Sequence, residues 1–234
     1  MTSANQLPLS IVTDDEATLG NFQPRAGALE ALGVAQSLVN GQAHDAFFAG
    51  VGGTGKSHLL QAVCHGLDGG ALYIPLTELV MLPPEAVLDQ HQAFALLAID
   101  DVHECLTHPG WQEALFHCFN QRRALELGML WSANTVPVAL EGLLPDLQSR
   151  LANLTTYQLA RQTEQELADM LSYRAARRGL VLSPDVIKYV LARAPRSASA
   201  LMDLLERLDR ASLTYSRPIT VPLIVELKVL SEDP

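Results

Sequence analysis

The chain has 234 residues, of which 48% are hydrophobic and 18% are charged. This composition excludes a disordered chain, and the length suits one domain or a medium domain plus a small one. No apolar run reaches the roughly 18 residues of a membrane span, and no signal peptide pattern is present, so we expect a cytoplasmic protein without a membrane partner. The net charge of −10 is uneven, with 5 basic and 16 acidic residues in 1–157 but 11 and 10 in 158–234. This predicts two structural units and argues against sequence-specific DNA binding by the acidic first unit.

Elements in the first part of the chain alternate between apolar strands and helices. The sequence predicts a flexible tail over residues 1–15 and a helix over residues 27–40. Strands are predicted over residues 46–49, 71–74, 94–99 and 129–132 and within 154–159, with helices ending near residue 67 and spanning 111–127. Because continuous apolar strands that alternate with helices are typical of a parallel sheet covered on both faces, residues 16–159 predict an α/β domain.

The pattern changes in the second part of the chain, where no strand is indicated. Helix starts are predicted where Ser or Thr can cap the first turn: at Thr163 with Glu166 as capping-box partner, at Ser183 before Pro184, and at Ser197 or Ser199. A fourth helix is predicted over residues 220–230. Residues 160–234 therefore predict a small all-α domain.

A phosphate-binding motif lies between the first strand and the helix that follows it. Residues 50–57 fit G-x-x-x-x-G-K-[ST] in full, whereas the alternative is a flexible Gly-rich turn. Glycines let successive backbone N–H groups face phosphate oxygens, and the helix N-terminus adds its positive dipole end. Lys56 is expected to reach the β- and γ-phosphates, and the Ser57 hydroxyl to bind Mg²⁺. The predicted nucleotide-binding residues of this segment are Gly50, Gly52, Gly53, Thr54, Gly55, Lys56 and Ser57.

An acidic pair, Asp100 and Asp101, directly follows the third apolar strand. At this place Asp100 is expected to hold Mg²⁺ through water, and Asp101 to orient or deprotonate the attacking water. Taken alone, such a pair is more typical of a helix cap or a solvated turn. Its position after a phosphate-binding loop favours the catalytic interpretation.

Two further polar residues are candidates for the same site. Asn134 follows the fourth strand, where it is expected to position the lytic water, the alternative being a turn residue. Arg150 precedes the last strand. It is either an intramolecular salt-bridge partner or a finger offered to the nucleotide of a neighbouring subunit.

Several of these segments resemble the AAA+ ATPases of the DnaA type. The resemblance rests on GTGKSHLL at residues 53–60, IDD at 99–101, SRL at 149–151 and the helical second part. It implies an AAA+ P-loop sheet followed by a helical lid domain, with ADP or ATP and Mg²⁺ as cofactors. It also implies that Asn134 is the sensor 1 residue and Arg150 the arginine finger.

Within this family, the chain is most similar to the Hda-type regulatory inactivators of DnaA. DnaA proteins continue into a helix-turn-helix domain, and this chain is expected to end where that domain begins. The lid arginine of such proteins, called sensor 2, aligns with Ser199, and Arg196 is the candidate that reaches the γ-phosphate instead. Asp101 stands where many AAA+ proteins have Glu.

The predicted tail carries a partner-binding motif. Residues 6–11, QLPLSI, are similar to the peptides that bind the sliding clamp. In an extended peptide, Gln6 can hydrogen-bond at the mouth of a pocket while the apolar side chains fill a groove. The residues predicted to contact the clamp are Gln6, Leu7, Leu9 and Ile11.

The resemblance implies a bacterial protein that negatively regulates the initiation of DNA replication. Bound to nucleotide and docked on the DNA-loaded clamp (the β subunit of DNA polymerase III), it would promote hydrolysis of DnaA-bound ATP through Arg150, with weak ATPase activity of its own. The alternative is a DnaA/DnaC-like helicase loader or remodelling ATPase that uses its own ATP cycle, with homo-oligomers possible. A small-molecule P-loop kinase is disfavoured because the helical second part suits it poorly.

The remaining candidate residues predict no chemistry. A set that resembles metal ligands matches no zinc spacing: His103, Glu104, Cys105, His108 and His117. The three cysteines form no CxxC motif, which argues against a disulfide framework. Arg122 and Arg123 are expected on the solvated face of a helix.

Overall fold

A computed structural model describes residues 16–42, 45–195, 197–215 and 217–226. The predicted clamp-binding residues (Gln6, Leu7, Leu9 and Ile11) and Arg196 lie outside the described residues. The contacts divide the chain into two compact units. The first unit comprises residues up to Val51 and Lys56–Leu159, and the second comprises residues from Ala160 onward together with Gly52–Gly55.

The first unit is built on a parallel sheet of five strands. The strands are β1 Asp45–Ala49, β2 Ala71–Pro75, β3 Leu96–Asp100, β4 Gly128–Ala133 and β5 Thr156–Gln158. Their order is β2-β3-β4-β1-β5, and every pair is parallel. The first four strands are the apolar runs that the sequence predicts, and the short fifth lies within its predicted range.

Helices cover both faces of the sheet. In the first unit they are α1 Leu29–Val39, α2 Lys56–Gly66, α3 Leu76–Leu79, α4 Pro84–Leu88, α5 Pro109–Ala124 and α6 Pro145–Ala152. Successive strand residues point to opposite faces, so Phe47 packs in the layer that contains α5 and α6, and Phe48 packs in the layer that contains α1 and α2. This two-faced burial explains why the strands are continuously apolar.

The second unit is an all-α lid domain. Its helices are α7 Glu164–Arg177, α8 Pro184–Leu191, α9 Ala198–Tyr215 and α10 Val221–Glu226. The predicted capping box is present, because Thr163 N–H donates to Glu166 Oε2 (2.8 Å) and Glu166 N–H donates to Thr163 Oγ1 (3.2 Å). Of the two starts predicted for the third helix, Ser197 is the one whose hydroxyl accepts from the first turn, at 3.3 Å from the N–H of Ala200. The fold class is thus α/β with an all-α lid, as predicted.

The prediction of a solvated face at Arg122 and Arg123 is wrong for Arg122. Its side chain is fully buried, and its guanidinium donates to the backbone carbonyls of four residues: His91, Phe94, Ala95 and Gly128. Arg123 is 53% exposed and pairs with Asp45 at 2.6 Å. The sequence carries no signal for this difference. The carbonyl groups that hold Arg122 come from a 3-10 turn, from the residues before β3 and from the first residue of β4, which only the fold brings together.

Hydropathy and length give the same result for every described helix: none is both long and apolar enough to cross a membrane.

Candidate nucleotide-binding site

The predicted phosphate-binding loop joins the end of β1 to the start of α2. Gly53 and Gly55 have φ of +77° and +90°, in the left-handed region that glycine adopts without a side-chain clash. Lys56 is the first residue of α2 and is 5% exposed. Its Nζ lies 3.5 Å from the carbonyl oxygen of Val51, so the side chain folds back along the loop toward the end of β1.

The carboxyl ends of the central strands bring three predicted site segments to one sheet edge. Ala49 of β1 pairs with Ala133 of β4, and the N–H of Gly50 donates to the carbonyl of Ala133 at 3.1 Å. Asn134 follows β4 directly and is exposed at this edge. Because β3 is the other neighbour of β4, its terminal residue Asp100 lies at the same edge.

Asp101 lies beside the P-loop lysine. It follows β3 in the left-handed conformation (φ 54°, ψ 53°), and its Oδ1 is 3.8 Å from Lys56 Nζ. The Nδ1 atom of His103 lies 3.9 Å from the same oxygen. Burial and then the charge of Asp100 raise the pKa of Asp101, although Lys56 and His103 act in the opposite direction. A carboxylate with a raised pKa is a better proton acceptor than an ordinary Asp.

Asp100 is surrounded by neutral donors. It is 3% exposed, and the Tyr73 hydroxyl donates to its Oδ2 at 2.7 Å. The Ser132 hydroxyl donates to its Oδ1. Burial, and then the charge of Asp100, raise the pKa of Tyr73 above its usual range, so the phenol keeps its proton. Both oxygens of this buried carboxylate are therefore satisfied by protein groups.

Sequence reasoning missed Tyr73 and Ser132. Tyr73 pairs with Ala98 in the parallel register, so it shares a sheet face with Asp100, two residues further along β3. Ser132 lies on β4, the other neighbour of β3. The sequence carries no local signal for either residue, because Tyr73 is in register with Ala98, two residues before Asp100, and this alignment is set by strand pairing.

Oxygen donors at this edge fit Mg²⁺. The Ser57 hydroxyl, in the first turn of α2, and the Asp100 carboxylate are the hard ligands that this ion prefers, and each Asp100 oxygen retains a lone pair for a metal-bound water. Among the described residues, no group of three or more His, Cys, Asp or Glu side chains could hold a metal ion.

Arg150 belongs to none of the elements that carry these residues. It lies on α6 and is exposed, and within the described part of the chain it takes part in no ion pair. The alternative of an intramolecular salt-bridge partner therefore has no support among these residues. The predicted role of Arg196 falls outside the described residues.

Comparison with known proteins identifies the family. Residues 164–227 match the family profile "Hda, lid domain". An uncharacterized protein of Haemophilus influenzae is 31% identical over 226 residues, which cover 95% of this chain and 97% of that protein. Domain III of the Thermotoga maritima replication initiation protein DnaA has a similar fold, with a TM-score of 0.79 and 22% identity over 95% of this chain and 100% of that one. The chain belongs to the DnaA/Hda-type AAA+ family.

A second structure of this family, AMPPCP-bound DnaA from Aquifex aeolicus, has the same fold. The TM-score is 0.69, with 21% identity over 82% of this chain and 65% of that one. In this DnaA/Hda-type chain, the AAA+ sheet places the P-loop, the acidic pair and Asn134 at one edge, and the Hda-type lid follows as a separate helical unit.

Proposed function

We propose that this protein is a regulatory inactivator of the replication initiator DnaA. Bound to ADP or ATP with Mg²⁺, it docks on the DNA-loaded sliding clamp and supplies Arg150 to ATP held by DnaA. The observation that carries the proposal is the match of residues 164–227 to the Hda lid, because it separates this chain from DnaA-type proteins in general.

Nucleotide binding is supported by the geometry of the sheet edge. Lys56 is positioned at the start of α2, and among the described residues its one ion-pair partner is Asp101, at 3.8 Å, so an arriving phosphate can replace that partner. The backbone of Gly50, Gly52, Gly53, Thr54 and Gly55 would cradle the phosphates, and Arg196 is the candidate partner of the γ-phosphate. Ser57 and Asp100 would hold Mg²⁺, which offsets phosphate charge when bound. The DnaA of Aquifex aeolicus, which has a similar fold, is bound to AMPPCP, and this supports a nucleotide as the ligand of this chain.

Arg150 supports action on a partner's nucleotide. Its guanidinium is exposed on α6 and has no carboxylate partner in the described structure, so it can enter another protein's site without breaking an ion pair. In that site it would stabilise the negative charge on the transferring phosphoryl group while water attacks and ADP leaves. Such fingers contribute about 10³–10⁵-fold in rate.

Docking on the clamp rests on the sequence of residues 6–11 alone. Gln6, Leu7, Leu9 and Ile11 would bind as an extended peptide, with the amide at the pocket mouth and the apolar side chains in the groove. Docking would raise the local concentration of Arg150 around DnaA on the same DNA.

A specific observation favours a second candidate, a helicase loader or remodelling ATPase that uses its own ATP cycle. The raised pKa of Asp101 beside Lys56 suits a base for hydrolysis in the chain's own site. In a homo-oligomer, Arg150 of one copy would then serve the nucleotide of the next. This candidate requires strong turnover by the protein alone.

Hydrolysis of ATP bound to DnaA distinguishes the two functions. We expect the wild-type protein to accelerate this hydrolysis only when clamp is loaded on DNA, and Gln6→Ala to lose the clamp dependence together with the acceleration. Turnover of free ATP by the protein alone is expected to be slow. Rapid turnover that is lost in Asp101→Asn, with no effect on DnaA, would instead establish the remodelling ATPase.

A further inference from the structure

We infer that Tyr73 and Ser132 are positioning residues that fix the Asp100 carboxylate from two sides and thereby set the affinity of the site for Mg²⁺. The inference rests on the nucleotide and Mg²⁺ binding proposed above and adds the residues that control it. Tyr73 and Ser132 are buried, at 7% and 0% exposure. Their effect on the site therefore passes through the Asp100 carboxylate.

Tyr73 belongs to a directed chain of hydrogen bonds that starts on α2. The Gln61 amide Nε2 donates to the Tyr73 hydroxyl oxygen at 3.3 Å, and the hydroxyl donates to Asp100 Oδ2 at 2.7 Å. Because an amide N–H can only donate, it occupies the oxygen of the phenol and leaves the phenolic proton for the carboxylate. The donor direction is therefore built into the packing of α2 against β2.

Ser132 forms a second chain of the same kind on the opposite side. The backbone N–H of Asp101 donates to Ser132 Oγ at 2.9 Å, and the Ser132 hydroxyl donates to Asp100 Oδ1. Ser132 thus holds two features at once: the carboxylate of Asp100 and the backbone turn that puts Asp101 in the left-handed conformation.

Neutral donors suit a carboxylate that must remain available to a cation. Within the described residues Asp100 takes part in no ion pair, and the nearby ammonium of Lys56 pairs with Asp101 instead. A lysine or arginine on Asp100 would compete with Mg²⁺, whereas hydroxyl groups fix the orientation of the carboxylate and leave its charge in place. Loss of one donor would let the carboxylate rotate out of the orientation in which Tyr73 and Ser132 hold it for Mg²⁺.

The two residues therefore have separable effects. Tyr73 acts on Asp100 alone, so Tyr73→Phe is expected to change only the dependence on Mg²⁺. Ser132 also holds the backbone of Asp101, so Ser132→Ala is expected to weaken Mg²⁺ binding and to slow hydrolysis even at saturating Mg²⁺. This split distinguishes positioning from a general loss of stability.

The test measures the affinity of the full chain for ATP by calorimetry at a series of Mg²⁺ concentrations. ATP binding in EDTA is the metal-free reference. Outer-shell partners of metal sites contribute about 10–100-fold in metal affinity, so we expect Tyr73→Phe and Ser132→Ala each to raise the half-saturating Mg²⁺ concentration about 10-fold. Binding in EDTA is expected to stay at the wild-type value. The control is Tyr157→Phe, which removes the hydroxyl of a half-buried tyrosine that packs on Phe48 of the same sheet.

The inference is overturned if Tyr73→Phe has the same Mg²⁺ dependence as the wild type. It is also overturned if the variant loses as much ATP affinity in EDTA as it does with Mg²⁺. Tyr73→Phe is isosteric and decides the question even if Ser132→Ala fails to fold. DnaA and clamp are absent from this assay. If the wild type binds ATP but the variants show no change in Mg²⁺ dependence, the inference fails and the proposed inactivation of DnaA still stands. A wild type that binds neither ATP nor ADP would overturn both.

Discussion

Lys56 Nζ lies 3.8 Å from Asp101 Oδ1, whereas the adjacent Asp100 is held by the hydroxyl groups of Tyr73 and Ser132. The two neighbouring carboxylates thus have different partners, a cation for one and neutral donors for the other. A phosphate that reaches Lys56 competes with Asp101 for its ammonium group, so we expect nucleotide binding to raise the pKa of Asp101 further.

The raised pKa of Asp101 predicts a stability that depends on pH. Because the folded state holds this proton more tightly than the unfolded state, stability falls as the pH rises from the ordinary Asp range through the folded pKa. At pH 7 the ionised side chain is a net cost, so Asp101→Asn is expected to raise the Tm while slowing any hydrolysis by the chain itself. The gain should shrink as the pH is lowered toward about 4.

Thermal unfolding between pH 4 and 8, monitored by circular dichroism, measures this difference. Asp203→Asn, at an exposed position of α9, is the matched control and should leave the Tm unchanged across the range. If Asp101→Asn has a lower Tm than the wild type at pH 7, the raised pKa of Asp101 is contradicted.

Arg122 and Arg123 are adjacent in sequence, but their replacements are expected to differ in cost. Arg122→Met leaves buried backbone carbonyls without donors, so it should lower the free energy of unfolding by more than about 3 kcal/mol. Arg123→Met removes one partly exposed ion pair and should cost about 0.5 kcal/mol. Urea denaturation of the two variants measures both values, and equal costs would refute the structural role of Arg122.

The conformation of the phosphate-binding loop predicts opposite results for two glycine replacements. Gly53 has φ of +77°, so Gly53→Ala should strain the loop by about 1 kcal/mol and weaken ATP binding. Gly33 lies inside α1 with open space around an added Cβ, so Gly33→Ala should stabilise the fold by about 0.5–1 kcal/mol and leave ATP binding unchanged. Calorimetric titration with ATP and urea denaturation check the pair, and undiminished ATP affinity in Gly53→Ala would contradict the loop assignment.

The sequence predicts the elements whose signal is local. The apolar runs of β1 to β4 and the caps at Thr163 and Ser183 are all found, because each depends on neighbouring residues in the chain. The short helices α3, α4 and α6 were not predicted. In α6 only Leu147 and Leu151 are buried, which is too few apolar positions for a helical period to stand out.

The partners of Asp100 could not be predicted for a different reason. Tyr73, Gln61 and Ser132 come from β2, α2 and β4, and their contacts depend on strand register and helix packing. The burial of Arg122 depends likewise on carbonyl groups brought together by the fold. The contiguous P-loop and acidic pair carry their own pattern, but the residues that support them do not.

The trans-acting role of Arg150 is the central claim. Because its side chain is exposed and makes no ion pair in the described structure, Arg150→Ala should change the free energy of unfolding by less than about 0.5 kcal/mol. ATP binding by the protein itself should also be retained. Any loss of activity toward DnaA then reports on the guanidinium and not on folding.

The most direct measurement is single-turnover hydrolysis of ATP prebound to DnaA, with clamp loaded on DNA. Wild-type protein and Arg207→Ala, which removes an exposed arginine of α9, should both accelerate the reaction. Arg150→Ala should leave hydrolysis at the rate of DnaA alone, because a finger contributes about 10³–10⁵-fold. Equal acceleration by Arg150→Ala and the wild type would contradict the account.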